Sequence, residues 1–130
     1  MIYCFSGTGN SSYVAGRISE LIREPVVSIN ERIKSRKGAA AETGERLIFV
    51  VPTYAWRIPR LVEEWIKKSV FKEGSLVYFV LTCGGDIGSA GRYLKKLCER
   101  KNLIYKGCTG IVMPDNYIVM FPAPGDKEAR

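Results

Sequence analysis

Between Met1 and Ile22 the chain passes from an apolar run, through six small polar residues, into a helical repeat. Ile2-Tyr3-Cys4-Phe5 is followed by Ser6-Gly7-Thr8-Gly9-Asn10-Ser11, and a helical pattern opens near Ser12. A strand that feeds a helix through so short a turn points to helices crossing over a parallel sheet. The turn also has chemistry of its own. Its two glycines let the backbone approach an anion closely, and the first amides of the helix point at it. The Ser, Thr and Asn side chains donate hydrogen bonds without adding charge. No Lys follows, so this is not the phosphate loop of nucleotide hydrolases, and Ser12 stands where a dinucleotide fingerprint would place its third glycine. What remains suits a terminal phosphate monoester that is held and not transferred.

The rest of the chain repeats the alternation. Strands are expected at residues 1–5, 25–29, 47–52, 75–82 and 105–113, several of them continuous apolar runs of the kind found in parallel strands covered on both faces. Helices are expected at about 11–23, 59–70 and 88–101. Their apolar stripes are Val14, Ile18, Leu21 and Ile22; Leu61, Val62, Trp65 and Ile66; and Ala90, Tyr93, Leu94, Leu97 and Cys98. Residues 30–46 are polar and small apart from Ile33, which predicts a short helix or a loop in place of a full crossover helix. From Pro114 to Gly125 the pattern reads as an apolar loop, and Asp126 reads as the cap of a helix that the chain does not complete. A last strand without its helix leaves apolar surface bare, to be covered by the tail, by another subunit or by a missing C-terminal segment.

At 130 residues, 46% apolar and 25% charged, the chain reads as one soluble domain spanning 1–130. Its apolar runs are too short to cross a bilayer, and no leader precedes the Ser6–Ser11 turn, so the expected location is the cytoplasm. Cys4, Cys83, Cys98 and Cys108 form no Cys-x-x-Cys pair, which argues against a metal or iron–sulfur site, and the lack of histidine excludes His-based catalysis. The net charge of +7 allows nucleic acid, a membrane surface or an acidic protein as partner. Yet the densest basic run, Arg32, Lys34, Arg36 and Lys37, has no interleaved aromatics and reads as a solvated surface; nucleic-acid binding is not indicated.

In such sheets a ligand lies beyond the carboxyl ends of the strands, where strand order reverses. Three segments meet there: residues 6–11; Pro52-Thr53-Tyr54-Ala55-Trp56-Arg57-Ile58-Pro59 after the third strand; and Thr82-Cys83-Gly84-Gly85-Asp86-Ile87-Gly88 after the fourth. Tyr54 and Trp56 fit no helix or strand period, and serve either as a stacking platform for a flat ring or as a staple holding their loop down. Gly84 and Gly85 let the backbone run flush against a ring edge or form a plain turn, while Asp86 accepts from a ring N–H or caps the next helix. No catalytic residue and no metal ligand is expected.

Taken together, these residues resemble a flavodoxin. Residues 1–118 follow the family's order of loops, and Phe5–Ser11, Pro52–Pro59 and Met113–Tyr117 resemble the flavodoxin-like half of proteins that fuse it to a ferredoxin. The resemblance implies a flavodoxin-like three-layer α/β sandwich, with a five-stranded parallel sheet in the order 2-1-3-4-5 and the final helix truncated or missing. It also implies noncovalent FMN and electron transfer with a redox protein, either a ferredoxin-like domain or a reductase. By carry-over, Ser6, Thr8, Asn10 and Ser11, with Gly7 and Gly9 between them, hold the phosphate. Pro52, Thr53, Tyr54, Ala55 and Trp56, with Cys83, Gly84, Gly85 and Asp86, frame the ring. The chain departs from the family in its basic charge, and positive charge near the flavin favours the anionic reduced form and a less reducing couple.

Two other functions compete with an electron carrier. One is an FMN-dependent NAD(P)H or quinone reductase, which needs room for a second substrate over the ring. The other is a flavin-free binding module that uses its basic face.

Overall fold

Strands built from apolar residues at both odd and even positions must be covered on both sides, and the chain meets that demand with helices on each face of one sheet. The computed structural model describes residues 1–6, 10–37, 46–53, 58–83, 90–112 and 119–122. In chain order the elements are β1 (Ile2–Cys4), α1 (Asn10–Ile22), β2 (Val26–Ser28), α2 (Ile29–Lys34), β3 (Arg46–Pro52), α3 (Arg60–Lys68), β4 (Leu76–Cys83), α4 (Ala90–Arg100), β5 (Ile104–Val112) and β6 (Val119–Pro122). The sheet order is β2-β1-β3-β4-β5-β6. Its first five strands are parallel, in the expected order 2-1-3-4-5.

The sixth strand corrects the reading of residues 114–125 as a loop throughout. β6 runs antiparallel to β5, from Val112 opposite Val119 to Thr109 opposite Pro122. The run Ile118–Phe121 has the β-prone composition of a strand, but its flanking prolines suggest a loop. Pro122 has no N–H to give, which an edge strand tolerates. Among the described residues no helix follows β5. The polar stretch after Asn30 does open with a short helix, α2, capped by Ser28 accepting from the Glu31 amide.

One face carries α2, α3 and α4. There Tyr3, Phe49 and Phe79 stack across β1, β3 and β4, with centroids 5.4 Å and 5.3 Å apart, and Trp65 and Phe71 pack against them. The other face carries α1, whose Val14 and Ala15 bury against Ile2, Cys4, Val50 and Val80. Two expected core residues lie outside. Leu21 is 79% exposed and Leu61 57% exposed. At 100° per residue each lies roughly 70–90° from the centre of its helix's buried stripe, beyond what one sheet surface covers.

The amino ends of the strands are held by charge. Glu24, just before β2, takes an ion pair from the Met1 ammonium and another from Arg46 at the start of β3. Hydrogen bonds from these two partners hold its carboxyl below the usual glutamate range. This cluster lies at the end of the sheet opposite the candidate site.

Candidate functional site

Strand order reverses between β1 and β3, so the crevice that can take a ligand opens at their carboxyl ends. Register places those ends side by side: Cys4 lies opposite Val50, and Pro52 lies opposite Thr82. The Thr53 amide then donates to the Thr82 carbonyl at 3.0 Å, which carries the β3–β4 pairing one residue past β3. The three expected loops therefore leave the sheet from adjacent strands.

Of the expected site residues, Ser6, Asn10, Ser11, Pro52, Thr53 and Cys83 fall within the described residues. Gly7, Thr8, Gly9, Tyr54, Ala55, Trp56, Gly84, Gly85 and Asp86 lie outside them, as does Asp126. Helix α1 begins at Asn10, so the amides of its first turn lack intrahelical partners and face the end of the crevice where β1 stops. Around that turn, Ser6, Ser11, Ser12, Thr53 and Thr82 are all polar and uncharged. Among the described residues, an anion here meets helix dipoles and hydrogen-bond donors.

Two residues brace the site: Asn30, which lies outside the three expected segments, and Thr82, which opens the third of them but is not among the expected ligand-holding residues. Asn30, the second residue of α2, grips the start of the loop from both sides. Its Oδ1 accepts from the Ser6 amide at 3.0 Å and its Nδ2 donates to the Ser6 carbonyl at 3.3 Å. Thr82 shares a buried hydrogen bond of 2.9 Å with the Ser11 hydroxyl, which ties the first turn of α1 to the end of β4. Ser11 is only 2% exposed, so its side chain is packed between the helix and the sheet. A polar residue closing an apolar strand is a visible signal for Thr82. Nothing in the spacing marks Asn30, which reaches Ser6 only because β2 pairs beside β1.

Cys4 and Cys98 are not poised for thiol chemistry. Burial pushes the Cys98 thiol up to about 12. It raises Cys4 as well, with a hydrogen bond from Ser12 acting in the opposite direction. Among the described residues no group of three or more His, Cys, Asp or Glu is placed to hold a metal ion. Among them, too, no helix is long and apolar enough to cross a membrane.

This doubly wound sheet, with its crevice at the β1/β3 reversal, defines the chain as having a flavodoxin-like fold. Solved structures bear out that class. A flavodoxin from the domain Archaea superposes with a TM-score of 0.65 at 15% identity, over 98% of this chain and 87% of that one. The two-electron reduced flavodoxin of Megasphaera elsdenii gives 0.61 at 20% identity, over 99% and 95%. An NADPH-quinone reductase from P. pentosaceus gives 0.51 at 13% identity, over 82% and 80%. No protein-family profile matches the sequence, and no curated protein matches it either.

Proposed function

We propose that this chain binds FMN and serves as an electron-transfer protein or redox domain. The observation that carries the reading is the uncharged first turn of α1, set at the strand-order reversal with its loop start clamped by Asn30. Such a donor set fits a phosphate monoester: unpaired helix amides and small hydroxyl and amide side chains surround a group that stays attached. Ser6, Asn10 and the amides of α1's first turn hold the phosphate, together with Gly7, Thr8 and Gly9. Ser11 fixes α1 against β4 through Thr82. Pro52 through Trp56 and Cys83 through Asp86 take the ring, with Tyr54 and Trp56 as the stacking surface. The flavin, when bound, supplies the electron chemistry, and the protein supplies orientation, electrostatics and exclusion of water. A second redox protein exchanges electrons at the exposed ring edge.

The competing enzyme reading is favoured by one observation, the likeness in fold to a protein named as an NADPH-quinone reductase. Under the carrier reading, holoprotein mixed with NADPH oxidises it no faster than free FMN does. Sustained turnover with a quinone assigns the chain to the reductases instead.

The primary test is titration of the purified protein into FMN and into riboflavin, following flavin fluorescence. FMN should bind at least tenfold more tightly than riboflavin, a difference of about 1.4 kcal/mol carried by the phosphate. Equal affinities overturn the phosphate assignment.

A further inference from the structure

The basic run Arg32, Lys34, Arg36 and Lys37 plays no part in the flavin reading, and the structure gives most of it a definite place. Arg32, Arg36 and Lys37 converge with Lys68 of α3 on a cleft of about 380 Å³ between α2 and α3, and Lys34 stays outside it. Among the described residues of the lining, Glu64 is the one acid, against four cations. The remaining wall is apolar, formed by Ile33, Leu61 and the edge of Trp65.

Two features separate this cleft from a loose patch of surface charge. First, the segment bearing the cations is fixed. The Trp65 indole N–H donates to the Lys37 carbonyl at 2.8 Å, pinning the end of that segment to α3. Arg36 sits in the left-handed region at φ 57°, a conformation costly for a residue with a side chain. It is held there by Arg36 N–H donating to Ile33 O at 3.1 Å and Lys37 N–H donating to Arg32 O at 2.8 Å. Second, three of the four cations have no acidic partner among the described residues. Among the described residues no ion pair joins Arg36, Lys37 or Lys68 to an acid, whereas Glu63 on the same helix is paired with Lys67 at 3.1 Å. Like charges gathered in a concavity raise the local potential and draw anions into it.

We propose that the α2/α3 cleft binds an organic polyphosphate, a small molecule with two or more adjacent phosphates and an apolar or aromatic body. The Arg guanidinium forks and the Lys ammonium groups take the phosphates. Leu61, left 57% exposed among cations, takes the apolar body together with Ile33. A cleft of this volume is at the lower end of the range that small ligands occupy, roughly 300–1,000 Å³, and a flat protein partner does not need it. The inference is independent of the flavin reading.

Calorimetric titration of the purified protein at low salt, with ATP, tripolyphosphate and a poly-glutamate peptide as probes, tests the proposal. The wild-type protein should bind ATP and tripolyphosphate but not the peptide. Arg36→Gln with Lys68→Gln should weaken both phosphate probes at least tenfold, while Leu61→Gln should weaken ATP several-fold and leave tripolyphosphate unchanged. All three changes lie at solvent-exposed positions, and unchanged FMN fluorescence titrations by the variants, or unchanged melting if FMN does not bind, separate this outcome from any failure of the flavin site. The proposal falls if ATP does not bind at millimolar concentration or if the charge variant binds as tightly as wild type. It also falls if Leu61→Gln weakens both phosphate probes equally, or if the acidic peptide binds as well as ATP.

Discussion

Replacing Asn30 with Ala should separate folding from ligand recognition in this chain. Asn30 makes two hydrogen bonds to the Ser6 backbone, at 3.0 Å and 3.3 Å, and both groups are partly buried. A neutral hydrogen bond nets about 0.5–1.5 kcal/mol. The longer bond contributes at the low end, so the pair is worth about 1–2 kcal/mol. For a domain of this size that corresponds to roughly 3–8 °C in melting temperature. The consequence for FMN differs in kind. If the proposed FMN site is right, without Asn30 the start of the loop at Ser6 is no longer ordered before the ligand arrives, and the ordering cost moves into the binding step. If most of the clamp's free energy appears there, FMN affinity drops about 5–20-fold. Riboflavin, which has no phosphate for the loop to hold, should bind almost unchanged. Thermal melts and paired FMN and riboflavin titrations on Asn30→Ala read both effects. Asn30→Asp serves as the harsher companion: it keeps the acceptor for the Ser6 amide but sets a carboxylate oxygen against the Ser6 carbonyl and adds charge beside the phosphate. A lower melting temperature with an unchanged FMN-to-riboflavin ratio in both variants would refute the clamp as a ligand-organising device.

Other expectations follow from the same contacts. A double-mutant cycle on Ser11→Ala and Thr82→Val should return a coupling of about 1 kcal/mol, with either single change worse than its share because it leaves a buried hydroxyl unpaired; denaturant unfolding measures it, and additive effects would count against the bond. Glu24 titrates below its unfolded value, so its contribution is complete above the ordinary glutamate range near ~4.3 and is lost as pH falls through the lower folded value. Glu24→Gln should therefore be less stable than wild type at neutral pH and converge with it in acid, as urea midpoints taken down to about pH 2 will show. In a Cys83→Ser background the three buried thiols of Cys4, Cys98 and Cys108 should resist alkylation at about pH 8 until the protein unfolds; rapid labelling of Cys98 in the native state would contradict its burial.

The parallel character of the first five strands was legible in the sequence because burial on both faces leaves long apolar runs that only crossover connections can join, whereas their order 2-1-3-4-5 came from the resemblance to a flavodoxin. The uncharged turn at residues 6–11 was legible for a similarly local reason: residue types and spacing alone determine what such a turn can donate to an anion. Helix stripes were readable to within one residue, and the misplaced Leu21 and Leu61 show where that reading ends. Periodicity says which side of a helix is apolar, but only the surface it lies on decides how wide a band is covered. Strand β6 was concealed by its flanking prolines, since pairing with β5 is a long-range event that local propensity does not encode. The Asn30 clamp, the Ser11–Thr82 brace and the pinning of Lys37 to Trp65 join residues 24, 71 and 28 positions apart. Each depends on which strands and helices become neighbours. Local chemistry and alternation were enough to read a parallel sheet with crossover helices and an uncharged turn suited to an anion at residues 6–11. Which side chains clamp the start of that turn, and which cations share a cleft, is set by the packing of segments distant in the chain and is visible only once they are folded together.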